Sequence, residues 1–226
     1  ITRNEDGTFD LETDSGMVQS KTVIIATGAA PRYLGLENEM TLVGHGVTSC
    51  ATCDGAFYRD VPVAVVGGGD SACEEANFLT RFASKVYLIH RRDELRASKI
   101  MADRVLANEK VEPVWDSGIT EYLTDEEGEV RAVNLENLKT GEKSELEVKC
   151  VFVAIGHVPN SQFVGGLVDL DENGYVLQNP HSTSTKTPGL YAAGDVADHI
   201  YRQAITASGQ GCAAAIEAER YLADGE

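Results

Sequence analysis

Val61–Ala97 reads VPVAVVGGGDSACEEANFLTRFASKVYLIHRRDELRA, and the order of its parts decides the fold class. Val61–Val66 is a continuous apolar, β-rich run, the pattern of a parallel strand covered on both faces. Gly67, Gly69 and Ala72 then fit G-x-G-x-x-G/A. The first glycine permits the tight turn, the second lets backbone approach a pyrophosphate at a helix N-terminus, and the alanine lets helix and strand pack closely. Glu74–Leu79 carries apolar residues at helical spacing, and Lys85–Ile89 supplies a second strand. In this strand–turn–helix–strand setting the glycines predict dinucleotide binding.

The end of the second strand selects the dinucleotide. NAD sites usually place an acidic residue there for the ribose hydroxyls. This chain has His90, Arg91, Arg92 and then Arg96. A cationic cluster suits a 2′-phosphate, which arginine grips bidentately, so NADPH is expected over NADH. The plainer alternative is a solvated basic helix start.

Two segments echo one another. TVIIATGAAPR (22–32) and CVFVAIGHVPN (150–160) are each an apolar strand, an Ala-X-Gly turn and a proline. Each follows alternating short strands with turn signals, 5–21 and 125–149, which read as β-meanders. The second copy is complete, with glycine loop, helix, strand, meander and closing strand. The first has only its meander and closing strand, which places its glycine loop upstream of Ile1. The chain also opens on Ile1, inside a polar strand-like stretch, so a missing N-terminal part is expected. The repeat implies a two-dinucleotide architecture with one domain inserted in the other.

TPGLYAAGDVADHIYRQAITASGQGCAAAIEAERYL (187–222) starts with a turn at Pro188–Gly189 and a short strand, Leu190–Ala193. Gly194 and Asp195 follow it. A carboxylate beside glycine at a strand end suits a ribose or ribityl hydroxyl; a helix cap or turn aspartate is the alternative. Gln203–Leu222 is Ala-rich and helical, and its N-terminus carries partial positive charge, useful against a reduced flavin anion.

The 226 residues are 42% hydrophobic, enough for a sizeable core or two modest domains. No apolar run is long enough to span a bilayer, and no secretory signal is expected. The formal net charge is −17, from 36 acidic and 19 basic residues. That argues against nucleic acid and anionic membranes as partners; it fits a solubilising surface or adaptation to high salt. Five cysteines are too few for a disulfide-stapled scaffold, and a reducing cytoplasm is expected. Cys50 and Cys53 nonetheless sit two residues apart in SCATCDG (49–55). Their spacing alone leaves half a metal site, a structural bridge or a cycling redox pair open.

The motifs CATCDG, VVGGGDSACEEA, IHRRDELRA, AAGDV and DHIYRQAITASGQGC span most of the chain in one order. Together they resemble low-molecular-weight thioredoxin reductases, of bacterial and archaeal type, flavoproteins that pass electrons from NADPH to thioredoxin. The resemblance implies an α/β flavoprotein disulfide reductase fold with two Rossmann-like dinucleotide-binding domains, three-layered and carrying β-meanders, here N-terminally truncated. It divides the chain into the end of the first FAD-domain segment (1–31), an inserted NADPH domain with the Cys pair (32–159) and the second FAD-domain segment (160–226). It implies FAD and NADPH as cofactors, thioredoxin or a thioredoxin-like protein as partner, and a homodimer.

Position by position, the resemblance makes Cys50 and Cys53 the redox disulfide and Asp54 the acid that moves protons to and from the thiols. Gly67, Gly69, Asp70, Ser71 and Ala72 match the NADPH pyrophosphate loop, and His90, Arg91, Arg92 and Arg96 the 2′-phosphate clamp. Ala26, Thr27, Gly28 and Gly156 are carried over as cofactor contacts. Gly194 and Asp195 match the flavin ribityl and phosphate region, and Arg202, Gln203 and Ala204 the segment that meets the isoalloxazine ring. Segments near 32–35 and 158–161 are expected to act as hinges for rotation of one domain.

With the family in view, the cysteine pair reads as a cycling dithiol, for which Asp54 is the adjacent proton partner. A structural zinc site wants four ligands, and a second C-x-x-C is absent, so no metal is expected. Cys73, Cys150 and Cys212 read as small core residues, and His157, His181 and His199 as loop residues. Three rival readings stand beside this one. They are an NADH-dependent peroxiredoxin reductase, a ferredoxin-fed reductase, and a fragment that holds NADPH without FAD and catalyses nothing.

Overall fold

The computed structural model describes residues 1–224. The chain divides into two compact units, Ile1–Ala30 with the described residues from His157 onward, and Pro31–Gly156.

The first unit opens with an antiparallel meander, β1 (Thr2–Arg3), β2 (Phe9–Thr13) and β3 (Gly16–Ser20), followed by β4 (Val23–Ile25). Phe9, at 0% exposure, anchors this meander to the unit's core. β5 (Ala29–Pro31) leads out of the unit.

The second unit contains β6 (Val47–Thr48), α1 (Ala51–Asp54), β7 (Pro62–Val66), α2 (Asp70–Leu79), β8 (Lys85–Ile89), α3 (Lys99–Leu106) and β9 (Val111–Val114). A meander follows, β10 (Ser117–Thr124), β11 (Val130–Asn137) and β12 (Lys143–Glu147), and then β13 (Val151–Val153). The central sheet is parallel, in the order β6-β13-β7-β8-β9. The continuous apolar run of β7 has a direct cause. Val63 and Val65 pack with Ala72, Ala76 and Leu79 of α2 and Val105 of α3. Ala64 and Val66 face the opposite way and pack with Ile119, Tyr122, Val133 and Leu135 of the meander. A strand covered on both faces has no solvent side on which to place polar residues. The result is three layers: helices, parallel sheet, meander.

Early in this unit Glu39 is 1% exposed. Its carboxylate accepts hydrogen bonds from the backbone N–H groups of Leu34 (3.1 Å), Gly35 (2.7 Å) and Leu36 (3.4 Å), and from the Tyr122 hydroxyl (2.7 Å). Four donors thereby replace the water this side chain gives up. Burial, and next its bond to Glu39, keeps the Tyr122 phenol protonated far above the ordinary range.

The first unit resumes with β14 (His157–Pro159), which pairs with β5, and β15 (Leu190–Ala192), which pairs in parallel with β4. α4 (Ala204–Asp224) lies against β15. Ala214 and Ala218, one turn apart, meet Tyr191 and Ala193, and their small size permits the close approach. Cys212, read from sequence as a core residue, is exposed. It lies two residues from Ala214, about 200° around the helix, on the face turned away from β15. His157 lies in a strand rather than a loop. Among the described residues no helix is long and apolar enough to cross a membrane.

Candidate functional site

The candidate residues fall into three groups, each within a single unit: two in the second unit and one in the first. The first group surrounds Cys50 and Cys53, which are joined as a disulfide. α1 spans only Ala51–Asp54, so the pair sits on a single turn, with Cys50 as its N-cap. Cys53 is exposed and Cys50 half-buried, which opens the bond to an incoming sulfur. Asp54 closes the same turn, its N–H donating to the Cys50 carbonyl at 3.1 Å. Its Oδ2 accepts the Thr48 hydroxyl at 2.5 Å, and Thr48 Oγ1 in turn accepts the Cys50 N–H at 3.2 Å.

Tyr58 and Cys150 lie close enough to interact with one another and with the charge of Asp54. Burial, with smaller contributions from the charges of Asp54 and Glu129, pushes the Cys150 thiol up to about 12. The Tyr58 phenol is raised in the same way. Both stay neutral at physiological pH. Among the described residues no cluster of three or more His, Cys, Asp or Glu side chains is placed to hold a metal ion.

The second group lies where β7 and β13 end side by side. β7 leads through the glycine loop into α2, so the loop lies at the carboxyl end of a parallel strand, where α/β sheets bind ligands. A Cβ on Gly67 would come within 2.5 Å of the Ala154 carbonyl oxygen and 2.6 Å of the Ala72 Cβ. A Cβ on Gly68 would overlap the His90 ring. At Gly69 a Cβ would meet nothing within 4 Å, so the loop is crowded beneath and open above, where a pyrophosphate fits. Gly156 follows β13, the strand paired with β7, and is the last residue of this unit.

The Gly68 carbonyl accepts from Arg96 N–H at 2.7 Å and Ala97 N–H at 3.1 Å, and Asp70 Oδ1 accepts from Ser98 N–H at 2.7 Å. Asp70 therefore braces the arginine loop against the first turn of α2. Ser71 is exposed on that same turn. Arg91, Arg92 and Arg96 are all exposed. Lys139 pairs with Asp93 at 2.6 Å and Asp116 at 3.0 Å, countering acidic charge beside the arginines.

His90 departs from the expected clamp. It is 4% exposed, beneath Gly68, and Nε2 has no hydrogen-bond partner. Burial, followed by the nearby Arg96 charge, lowers its pKa and keeps the imidazole neutral. His90 supports the loop from below, and the cationic cluster consists of the three arginines.

The third group lies in the first unit. β4 and β15 run parallel and end together, so Ala26, Thr27 and Gly28 emerge beside Gly194 and Asp195. Thr27 Oγ1 donates to the Asn160 carbonyl at 2.6 Å, and Gly28 turns with φ +70°. Gly194 adopts φ +76°, and its N–H donates to Gln210 Oε1 at 2.8 Å, joining the turn to α4. Asp195 is half-buried, and its Oδ1 has no hydrogen-bond partner. Burial, then the neighbouring Asp198, raises its pKa, with Arg202 opposing. A shielded carboxylate oxygen awaiting a donor fits a ligand hydroxyl. Asp198 Oδ1 accepts from the N–H groups of Ile200 and Tyr201, both at 2.9 Å, shaping the turn that presents Arg202, Gln203 and Ala204 at the start of α4.

Sequence reasoning missed Thr48, Glu39 and Phe57. A hydroxyl residue two positions before Cys50 was the only local sign of the first, and nothing local marked the second. Phe57, 80% exposed and three residues past Asp54, is an apolar side chain displayed beside the disulfide.

The sequence profile of the pyridine nucleotide-disulphide oxidoreductase family matches residues 2–211. A thioredoxin reductase of Mycolicibacterium smegmatis is 56% identical over 206 residues, covering 91% of this chain and 66% of that protein. Thioredoxin reductase 2 of Arabidopsis thaliana is 50% identical over 221 residues, covering 95% of this chain and 58% of that protein. The chain thus spans about two thirds or less of the length of these relatives. The crystal structure of thioredoxin reductase from Streptococcus pyogenes matches with a TM-score of 0.91 at 42% identity, covering 98% of this chain and 72% of that one.

Proposed function

The chain belongs to the thioredoxin reductase family of pyridine nucleotide-disulphide oxidoreductases, and we propose that it carries out NADPH-dependent reduction of a thioredoxin disulfide through FAD and the Cys50–Cys53 pair. The observation that carries this reading is the accessible disulfide on a single turn whose last residue, Asp54, is a fixed carboxylate.

The second unit is the NADPH domain in this reading. The 67–72 loop receives the pyrophosphate and Arg91, Arg92 and Arg96 receive the 2′-phosphate. The first unit contributes to the FAD domain, with Ala26–Gly28, Gly194, Asp195 and Arg202–Ala204 as the residues that would hold the flavin. When bound, the two cofactors supply the electron pair that opens the disulfide.

The chain's own residues do the rest. In the dithiol state one sulfur of the pair attacks a partner sulfur as thiolate, and the partner's S–S bond breaks. The second sulfur then attacks the mixed disulfide, and the Cys50–Cys53 bond reforms. Two protons leave the dithiol and two are gained by the partner's thiols, with Asp54 as the adjacent group that takes and returns them. Exposed Phe57 offers the protein substrate an apolar contact beside the reacting sulfurs. A homodimer, a cytoplasmic setting and rotation of the inserted domain about hinges near 32–35 and 158–161 belong to the same proposal.

The test is a visible spectrum of the purified chain with added FAD, recorded anaerobically before and after NADPH or NADH, followed by thioredoxin. A flavin band that bleaches faster with NADPH and recovers with oxidised thioredoxin is the expected result. Retention of thioredoxin reduction by Cys50→Ser overturns the proposal.

A further inference from the structure

The carboxylate beside the disulfide is not left to find its own position. Thr48 is 7% exposed and is anchored in β6, where it pairs with Phe152 of β13. Its side-chain oxygen makes two bonds at once. It donates to Asp54 Oδ2 at 2.5 Å and accepts the Cys50 N–H at 3.2 Å. One buried hydroxyl therefore joins the residue bearing the first sulfur to the candidate proton carrier, across the ends of a single turn.

We propose that Thr48 is a positioning residue for the thiol–disulfide exchange: it holds the Asp54 carboxylate and the Cys50 backbone in one frame while the sulfurs change partners. This inference rests on the reading of Asp54 as the proton partner.

One consequence follows. A carboxylate released from Thr48 spends less time in reach of the thiols, which lowers the exchange rate. Tyr58 and Cys150 are held neutral, and Glu129 is paired with His45 at 2.8 Å. The bond between Thr48 and Asp54 spans only six residues, yet it depends on the sheet, because β13 fixes β6 beneath α1.

The test needs neither flavin nor nucleotide. The full chain is reduced with dithiothreitol, desalted, and mixed with 2-hydroxyethyl disulfide across a pH series. Iodoacetamide quenching and mass spectrometry then read the Cys50/Cys53 dithiol separately from exposed Cys212. The exchange balances as dithiol plus disulfide giving the Cys50–Cys53 disulfide and two molecules of 2-mercaptoethanol.

Thr48→Val keeps the β-branched shape that suits a parallel strand, and Thr48→Ala is a second hydroxyl-free variant. Each is expected to slow exchange at neutral pH by about tenfold, part of the roughly 10²–10⁴ that a placed general acid–base group supplies. Thr48→Ser, which restores the hydroxyl, is expected to stay within about twofold of the parent. Asp54→Asn separates the two ideas. If it slows exchange while the hydroxyl-free variants keep the parent rate, the role of Thr48 is overturned and that of Asp54 stands. If Asp54→Asn itself keeps the parent rate, both are overturned.

Discussion

Removing the carboxylate of Glu39 should strongly destabilise the second unit. Glu39 gathers three backbone N–H groups and the Tyr122 hydroxyl, with three of the four bonds between 2.7 and 3.1 Å. A hydrogen bond to a charged group contributes about 1.5–3 kcal/mol, and a buried donor left without a partner costs about 1–3 kcal/mol. The contributions do not sum in full, since a loop at 34–36 relaxes and admits water. We therefore expect Glu39→Ala to cost about 3–5 kcal/mol, the range for breaking a buried charged constellation from one side.

Glu39→Gln keeps the shape and one acceptor oxygen but turns an NH2 toward donors, and should cost about 2 kcal/mol. Tyr122→Phe removes one donor of the four and should cost about 1–1.5 kcal/mol. In a Glu39→Ala background the same change should cost almost nothing, because the hydroxyl has already lost its acceptor. Trp115, the chain's single tryptophan, lies in the second unit, so urea unfolding followed by its fluorescence reports on that unit. A loss below about 1 kcal/mol for Glu39→Ala, or additive single and double variants, would falsify the account.

The glycine loop and the arginines give further expectations. Gly67→Ala places a methyl against the Ala154 carbonyl and Ala72, and should cost about 1–3 kcal/mol by overpacking while weakening NADPH binding to the chain. Arg91→Ala or Arg92→Ala should weaken NADPH binding about tenfold or more and leave NADH nearly unchanged, measured by nicotinamide fluorescence without flavin; equal losses for both nucleotides would remove the arginines from 2′-phosphate recognition. His90 is held neutral, its folded pKa lying below the ordinary 6.5. Its contribution to stability is therefore full above that value and lost as pH falls through the folded pKa. His90→Gln should flatten the acid-side decline of the urea midpoint, and an unchanged slope would mean that His90 does not drive it.

The family resemblance carried by CATCDG, VVGGGDSACEEA and their companions agrees with the comparisons. It was legible because those motifs are local. β7 could be read from Val61–Val66 because a strand covered on both faces must be apolar throughout, and the structure differs only in beginning it at Pro62. α2 begins at Asp70, inside the glycine motif, and α4 runs from Ala204 to Asp224, close to the Gln203–Leu222 read from composition. Cys212 was misplaced because an Ala-rich helix carries almost no contrast between its faces; only the position of β15 shows that Ala214 and Ala218 point inward.

His90 shows the same division within the site. Its neighbours in sequence are arginines, so sequence groups it with them. In the fold its ring lies beneath Gly68 while theirs face solvent. Glu39 and Tyr122 are 83 residues apart, and no local pattern joins them. By itself the sequence determined the βαβ unit, the spacing of the two sulfurs and the cationic character of the second strand's end. Those depend on backbone preferences and side-chain periods that act over a few residues. Only the tertiary structure decided which hydroxyl holds Asp54, which carboxylate gathers the 34–36 loop and which imidazole is shut away from solvent. Each of those depends on what lies opposite a side chain once water has been excluded.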